Sequence, residues 1–188
     1  MGKQVSALDD EHIAFIQAQK LFFVATAPEQ GRINLSPKGM DSFRVVDRTN
    51  IAWLNVTGSG NETASHVAEN GRMTVMFCAF EGNPVILRLY GSARVVHPRD
   101  SDWAGLFSRF TSLPGARQIF VLNVELVQSS CGMAVPLFDY AADRELLKDW
   151  AIKKGDVGLY EYWRDHNQVS LDGKPISILA PIADQDGG

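Results

Sequence analysis

Long apolar runs are absent from this sequence, and their absence bears on where the protein works. No stretch approaches the roughly 20 apolar residues that a membrane-spanning helix needs. The opening segment, MGKQVSALDDEHIAF, carries acidic residues where a secretory leader would have its apolar core. We therefore predict a cytoplasmic protein with no membrane partner.

Dense clusters of basic residues are also missing. The net charge is −4, the isoelectric point is near 5.5, and lysines and arginines are scattered along the chain. Such a distribution offers no positively charged footprint for a phosphodiester backbone. We predict no nucleic-acid partner.

Cysteine and histidine are too few and too scattered to suggest a metal centre. The two cysteines, Cys78 and Cys131, show neither CxxC spacing nor metal-ligand spacing. Cys78 falls in an apolar run and is predicted to lie in the core. The four histidines do not cluster with other ligand types, so no metal site is predicted.

The residues that are present suit one β-rich domain. With 188 residues, 45% of them hydrophobic, the chain can bury a single sizeable core. Short runs of β-forming residues alternate with turn sequences such as PEQG, PKGMD and RTN. The predicted strands are 21–27, 32–36, 43–47, 51–56, 73–80, 85–96 and 119–127. Hairpin spacings with only one short strand–helix–strand crossover predict a small antiparallel barrel, mainly β, with helices at its ends.

Helical patterns lie outside the predicted strands. Ser6 followed by Asp9 is a candidate capping box for an opening helix. Apolar residues at i, i+3, i+4 and i+7 within 103–110 predict an amphipathic helix with one buried stripe. Two further helices are predicted at 143–154 and 158–166, and the second is expected to pack across a subunit boundary.

A glycine-containing turn, TGSGNET, separates two apolar runs and leads into a short predicted helix. It lacks the third glycine of the dinucleotide fingerprint, and it lacks the lysine of the phosphate-binding loop of nucleotide triphosphatases. Gly58 and Gly60 permit unusual backbone angles, while Asn61 and Thr63 offer a cap and side-chain donors at the helix start. The turn is therefore either an anion site or an ordinary capped turn.

Together with NLSPKGMDSF upstream and AWLN before the turn, this segment resembles the flavin mononucleotide (FMN)-binding split barrel of the pyridoxamine 5′-phosphate oxidase family. The resemblance covers roughly residues 21–127. It implies an antiparallel six-stranded split β-barrel in a single FMN-binding domain, 1–188. The barrel core would span about 21–127, and a helical and tail segment about 128–188.

The resemblance also implies a cofactor site, although it assigns no catalytic residue. The strand with Leu35, Ser36, Pro37 and Lys38 would run beside the isoalloxazine and ribityl chain, with Trp53 and Leu54 by the cofactor. The helix start, with Asn61, Glu62 and Thr63, would hold the phosphate. Cys131 and Gly132 would begin a loop, 131–140, contributed across a dimer. Lys38 would also stabilise negative charge on the reduced flavin; a solvated turn lysine is the alternative.

Two departures from the family pattern affect the expected specificity. The vitamin-oxidising members carry an arginine–lysine pair at the helix start, where this chain has Glu62 and Thr63. A bound phosphate would be repelled by Glu62 unless the carboxylate turns away. The sequence EYW near the C-terminus resembles the oxidase signature, but the arginine-hydrophobic-histidine that should follow is absent, so we interpret EYW as coincidence.

The expected function is that of a homodimeric flavoprotein that binds FMN between subunits and acts as an oxidoreductase on a small-molecule substrate. One alternative is the same barrel using a deazaflavin as cosubstrate. Another is a flavin- or haem-binding carrier or sensor without turnover. The sequence contains no motif that separates these three functions.

Overall fold

The computed structural model describes residues 2–179 as one antiparallel sheet with four helices. The strands are β1 (Lys3–Val5), β2 (Phe22–Thr26), β3 (Asn34–Lys38), β4 (Phe43–Val45), β5 (Asn50–Val56), β6 (Arg72–Cys78), β7 (Val85–Val96) and β8 (Ala116–Cys131). The helices are α1 (Asp10–Ala18), α2 (Glu62–Asn70), α3 (Trp103–Phe107) and α4 (Leu146–His166). The end of the predicted tail, from 180 onward, lies outside the described residues.

The sheet has the strand order β3-β2-β6-β7-β8-β5-β4, with β1 paired to β8 off this path. It curls into a half-barrel, which confirms the predicted mainly antiparallel split barrel. The count of six strands was wrong, because seven strands lie on the path and the three-residue β1 adds an eighth. All seven runs identified in the sequence as strands do form the path, so the error lay in the count and not in the location of the strands.

Strand β8 is the hub of the sheet because it pairs with β7, β5 and β1. Its pairing with β7 covers the whole of β7 and residues 119–131 of β8, and it shifts register between Tyr90 and Gly91. A Cβ atom at Gly91 would lie 1.9 Å from the carbonyl oxygen of Asn123. Only glycine therefore allows the two backbones to approach this closely at the shift.

The sheet buries apolar side chains on both faces. Alternation along β5 sends Ile51 and Trp53 into the larger cluster, in which Trp53 stacks on Phe120 with ring centroids 4.4 Å apart. Ala52 and Leu54 enter a smaller cluster on the other face, covered by α3 and the segment after it. Cys78 is buried, as predicted from its apolar run.

The helices differ in detail from the predicted ones. α1 is capped by Asp9, whose side chain accepts from the backbone of His12 while the His12 ring accepts from Asp9, so Ser6 is not the cap. α3 ends at Phe107, and no residue of this short helix is fully buried. Gly155, at φ 61° and ψ 175°, interrupts α4, which agrees with the two predicted C-terminal helices. No helix among the described residues is long and apolar enough to cross a membrane.

Candidate anion-binding site

A polar cleft of about 300 Å³ lies where the glycine turn meets β3, β5 and the start of β8. Five of the residues predicted to hold a cofactor line it: Ser36, Lys38, Asn61, Glu62 and Thr63. The lining residues that sequence reasoning missed are Asn34, Asn55, Val56 and Arg117, while the glycine turn, 58–60, lines the cleft as one of its two interpretations predicted. The structure thus brings the lysine strand and the helix start to one place.

The edge strand β3 supplies one side of the cleft through simple alternation. Asn34, Ser36 and Lys38 share one face and line the cleft. Leu35 and Pro37 point the other way, and Leu35 is 64% exposed. Their predicted contact with a flavin is therefore not a contact within this cleft.

Two cations, Lys38 and Arg117, line the cleft, and the carboxylate that also lines it, Glu62, forms an ion pair with neither. Arg117 is only 4% exposed. Burial and the nearby Arg117 charge lower the pKa of Lys38 to about 8. Burial lowers the pKa of Arg117 to about 10, although Tyr162 acts in the opposite direction. Among residues 2–179, no ion pair is formed by either side chain. Because buried like charges raise each other's free energy, this arrangement favours an anion.

The hydrogen bonds of Arg117 leave one edge of its guanidinium free. Nη1 donates to Oδ1 of Asn167, and Nη2 donates to the carbonyl oxygen of Gly60 at 2.8 Å. Nε is buried and has no partner within the described part of the chain. A planar guanidinium fixed in this way retains a donor for a further acceptor.

The start of α2 adds a second unsatisfied polar group. Asn61 is the N-cap residue and is 4% exposed, yet its side chain makes no capping hydrogen bond. Both its Oδ1 and its Nδ2 lack a partner among the described residues. The predicted cap is thus not made by this side chain. A buried amide without partners, beside the positive end of a helix, is suited to a polar ligand.

Thr63 and Glu62 are engaged with the rest of the protein. The Thr63 hydroxyl oxygen accepts from Nδ2 of Asn34 at 3.1 Å, so this contact does not use its own proton. Both carboxylate oxygens of Glu62 lie 3.0 Å from the backbone nitrogen of Leu171, which donates to them. This contact offers the Glu62 charge a partner outside the cleft.

The remaining predicted residues lie elsewhere in the chain. Trp53 and Leu54 are 0% and 1% exposed in the two apolar clusters and do not line the cleft. Cys131 ends β8, at the opposite end from Arg117, and Gly132 follows it. The backbone nitrogen of Gly132 donates to Pro84 within the same chain. Their contribution across a dimer stays a prediction.

Arg117 reaches the cleft because of an irregularity in strand pairing. Gln118 pairs with Asn55, but the next pair joins Ala116 to Val56, so Arg117 is an extra residue without a partner opposite. A bulge of this kind re-aims a side chain. The sequence offered no signal for it, since a bulge depends on the register of two strands that are distant in sequence.

The C-terminal segment closes over the glycine turn. Nε1 of Trp163, from the EYW sequence, donates to the Thr57 hydroxyl at 2.8 Å. Asn167, fully buried, donates from Nδ2 to the carbonyl oxygens of Gly58 and Ser59 at 3.2 and 3.4 Å. These residues contact their own chain, and the expected packing of this helix across a subunit boundary stays a prediction. No sequence pattern pointed to Asn167.

Metal-binding chemistry has no counterpart in this region. Within residues 2–179, no group of at least three histidine, cysteine, aspartate or glutamate side chains could hold a metal ion. The cleft is instead lined by cations and amides, which are ligands for anions.

Comparison with known proteins identifies the family. A family model described as pyridoxamine 5′-phosphate oxidase matches residues 8–131. The chain belongs to the pyridoxamine 5′-phosphate oxidase family. It is 41% identical over 177 residues to the family protein ustO of Aspergillus flavus, covering 84% of this chain and 70% of that relative. The family resemblance read from NLSPKGMDSF, AWLN and NET is thereby confirmed.

Solved structures share the family fold. A variant of HupZ from group A Streptococcus is 21% identical, with a TM-score of 0.52, covering 65% of this chain and 98% of its own. A protein of Mesorhizobium loti described as FAD-binding is 16% identical, with a TM-score of 0.50, covering 69% and 96%. At these low sequence identities, the similarity shows a shared fold and nothing about function.

Proposed function

We propose that this member of the pyridoxamine 5′-phosphate oxidase family binds FMN, with the phosphate in the cleft at the start of α2, and acts as an oxidoreductase on a small molecule. The observation that carries the proposal is that Lys38 and Arg117 line one cleft and form no ion pair among the described residues, next to the side chain of Asn61, which has no partner there either.

The chemistry of the cleft fits a phosphate monoester. A phosphate carries close to two negative charges at neutral pH and presents three strong acceptor oxygens. Lys38 and the free edge of Arg117 supply the positive charge, and Nδ2 of Asn61 supplies a neutral donor. The exposed N–H groups of the first turn of α2 favour the same anion. The volume of about 300 Å³ accommodates the phosphate end of FMN better than a whole flavin.

A bound flavin supplies the electron transfer of such an enzyme. The residues described above would hold its anionic end, against some repulsion from Glu62, which also lines the cleft. The stabilising effect of Lys38 on the reduced flavin stays a prediction, as does the identity of the substrate. No catalytic residue is assigned.

A homodimer is part of the proposal. Large apolar side chains are exposed in the loop after β8, where Met133, Leu137 and Phe138 are 82%, 75% and 59% exposed. Ile33, just before the edge strand β3, and Leu35, on that strand, are 78% and 64% exposed. Exposed apolar residues at the edge of a small sheet support contact with a second copy. Such a contact would complete the flavin site beyond the small cleft.

The first experiment identifies the cofactor. We expect the purified protein to show a flavin absorption band and to release FMN on denaturation, as resolved by chromatography. Release of FAD alone, as in the FAD-binding structural relative, would contradict the proposed phosphate position. A Soret band would favour a haem carrier, and a deazaflavin spectrum would favour the cosubstrate alternative.

The second experiment tests turnover and assembly. We expect a nicotinamide donor to reduce the bound flavin and a small-molecule acceptor to reoxidise it, whereas a carrier would show neither step. Light scattering at micromolar concentration should give the mass of two chains. A mass of one chain with flavin still bound would overturn the dimer. The cytoplasmic location stays a prediction.

A further inference from the structure

We infer that Asn167 is a positioning residue for the phosphate site, holding the guanidinium of Arg117 in the wall of the cleft. The inference rests on the proposed function and extends it to a segment that follows the matched family region, 8–131. Asn167 itself does not line the cleft. It would act through Arg117 and through the backbone of the glycine turn.

The contacts of Asn167 join the cation to the turn. Its Oδ1 accepts from Nη1 of Arg117 at 2.5 Å, and its Nδ2 donates to the carbonyl oxygens of Gly58 and Ser59. Nη2 of Arg117 donates to Gly60. One buried amide therefore fixes both the guanidinium plane and the loop that precedes α2. The orientation of Arg117 is set before a ligand arrives, which lowers the entropic cost of binding.

The neutrality of the amide matters as much as its geometry. A carboxylate at this position would form a bidentate ion pair with the guanidinium and cancel its charge. The amide oxygen accepts one hydrogen bond and leaves the positive charge uncompensated. Asn167 is thus chemically suited to present Arg117 to an anion, because it orients the cation without neutralising it.

Two neighbouring contacts provide matched controls. Trp163 bonds Thr57 at one end of the turn, and the backbone of Leu171 bonds Glu62 at the other. Both contacts hold the C-terminal segment against the turn, but neither involves Arg117. If the segment only stabilised the fold, loss of the Trp163 contact and loss of the Asn167 contact should have similar effects on ligand binding.

The test compares FMN with riboflavin, which has the same ring and ribityl chain but no phosphate. Dissociation constants for both ligands are measured by quenching of flavin fluorescence on apoprotein of the parent, Asn167→Asp, Asn167→Ser and Trp163→Phe. We expect the parent to prefer FMN, Asn167→Asp to reduce that preference at least tenfold, and Asn167→Ser to reduce it at least threefold. Trp163→Phe should leave the preference within twofold of the parent.

The outcomes separate this inference from the proposed function. Equal affinity of the parent for FMN and riboflavin would overturn both. A parent that prefers FMN, with both Asn167 variants folded and keeping that preference, would overturn only the positioning role. Loss of riboflavin and FMN binding in equal proportion would also overturn it, because that is the effect of a general structural defect.

A measurement on the parent protein keeps the inference testable if the Asn167 variants do not fold. In ¹⁵N-labelled protein, the Nε–H resonance of Arg117, assigned through Arg117→Lys, reports on the donor that has no partner among the described residues. FMN should shift this resonance, and riboflavin should leave it in place. Equal responses to the two ligands would show that Arg117 is not held toward the phosphate.

Discussion

Arginines on the surface of this protein and cations in the cleft have different surroundings. Arg44, Arg48 and Arg94 each lie within 2.8 Å of a carboxylate oxygen at or near the surface. Lys38 and Arg117, which are less exposed to water, face each other's charge and form no ion pair within the described region. Ion pairs form at the surface, where water already screens charge. They are missing in the cleft, where an unpaired charge costs the most free energy. Uncompensated charge in the interior is thus a stronger indication of a ligand site than the number of charges.

Replacing a cation of the cleft by a carboxylate should have the largest effect, because Arg117 then faces a carboxylate as the surface arginines do. Lys38→Glu removes one cation and neutralises Arg117. Since each charged hydrogen bond contributes roughly 1.5–3 kcal/mol and two are lost, we expect FMN affinity to fall by about two to four decades. Fluorescence titration measures the loss. Lys148→Glu, the same reversal beside Glu145 on α4, is the control and should leave affinity unchanged.

Thermal unfolding of the Lys38→Glu apoprotein gives an independent check. We expect its melting temperature to equal or exceed that of the parent, since an attractive pair replaces a repulsive one. A lower melting temperature combined with unchanged FMN affinity would mean that the cations of the cleft serve the fold and not a ligand.

Removing one cation without replacing it should have a smaller effect. Lys38→Met keeps the length of the side chain and deletes the charge. We expect FMN affinity to fall by about one to two decades, from roughly 1.5–3 kcal/mol for one charge-assisted contact. Riboflavin affinity should change little. An equal loss for the two ligands would assign Lys38 to the flavin ring.

The comparison also predicts a dependence on pH. Because burial and Arg117 lower the pKa of Lys38 to about 8, Lys38 is charged below that pH and loses its proton as the pH rises through it. FMN affinity should therefore be highest below pH 8 and fall about tenfold between pH 7 and pH 9. Arg117, with a pKa of about 10, keeps its charge over this range.

Lys38→Met serves as the control for the pH experiment. The variant should bind FMN with the same weak affinity at pH 7 and pH 9, which separates Lys38 from Glu62 and Arg117, the other charged residues of the cleft. A parent whose FMN affinity is constant between pH 7 and pH 9 would show that Lys38 does not contact the phosphate.

The smallest expected effect on FMN affinity comes from a change at Glu62, whose charge is opposite to that of Lys38 and Arg117. Glu62→Gln removes the negative charge and keeps an oxygen that can accept from Leu171. We expect FMN to bind a few-fold more tightly, by about 0.5–1 kcal/mol at low salt, with the gain shrinking as salt is added. Glu11→Gln on α1 removes an equal charge away from the cleft and should have no effect. Unchanged FMN affinity in Glu62→Gln would show that the Leu171 contact already neutralises the carboxylate.

Strands and turns followed from local patterns in the sequence. Alternating β-forming residues located all seven strands of the path, and 85–96 matched β7 at both ends. The glycine turn also led into α2 as expected, whereas Ser36 and Lys38 were not separated from Leu35 and Pro37 in the prediction from sequence. These features are set by neighbours a few residues apart, because a strand alternates its faces and a turn needs particular residues. Local patterns did not predict the short β1 or the position of the α1 cap.

Tertiary structure decided which charges meet, and local patterns carry no information about that. Arg117 faces Lys38 only because the pairing of β5 with β8 skips one residue. Asn167 and Arg117 are 50 residues apart in the sequence. They meet only because the chain after α4 returns to the glycine turn. Burial then turned ordinary side chains into a site, since a lysine and an arginine that are unremarkable in water become strongly attractive to an anion once they share a cleft. The sequence alone determined the barrel and the family, and the register of distant strands determined the anion site.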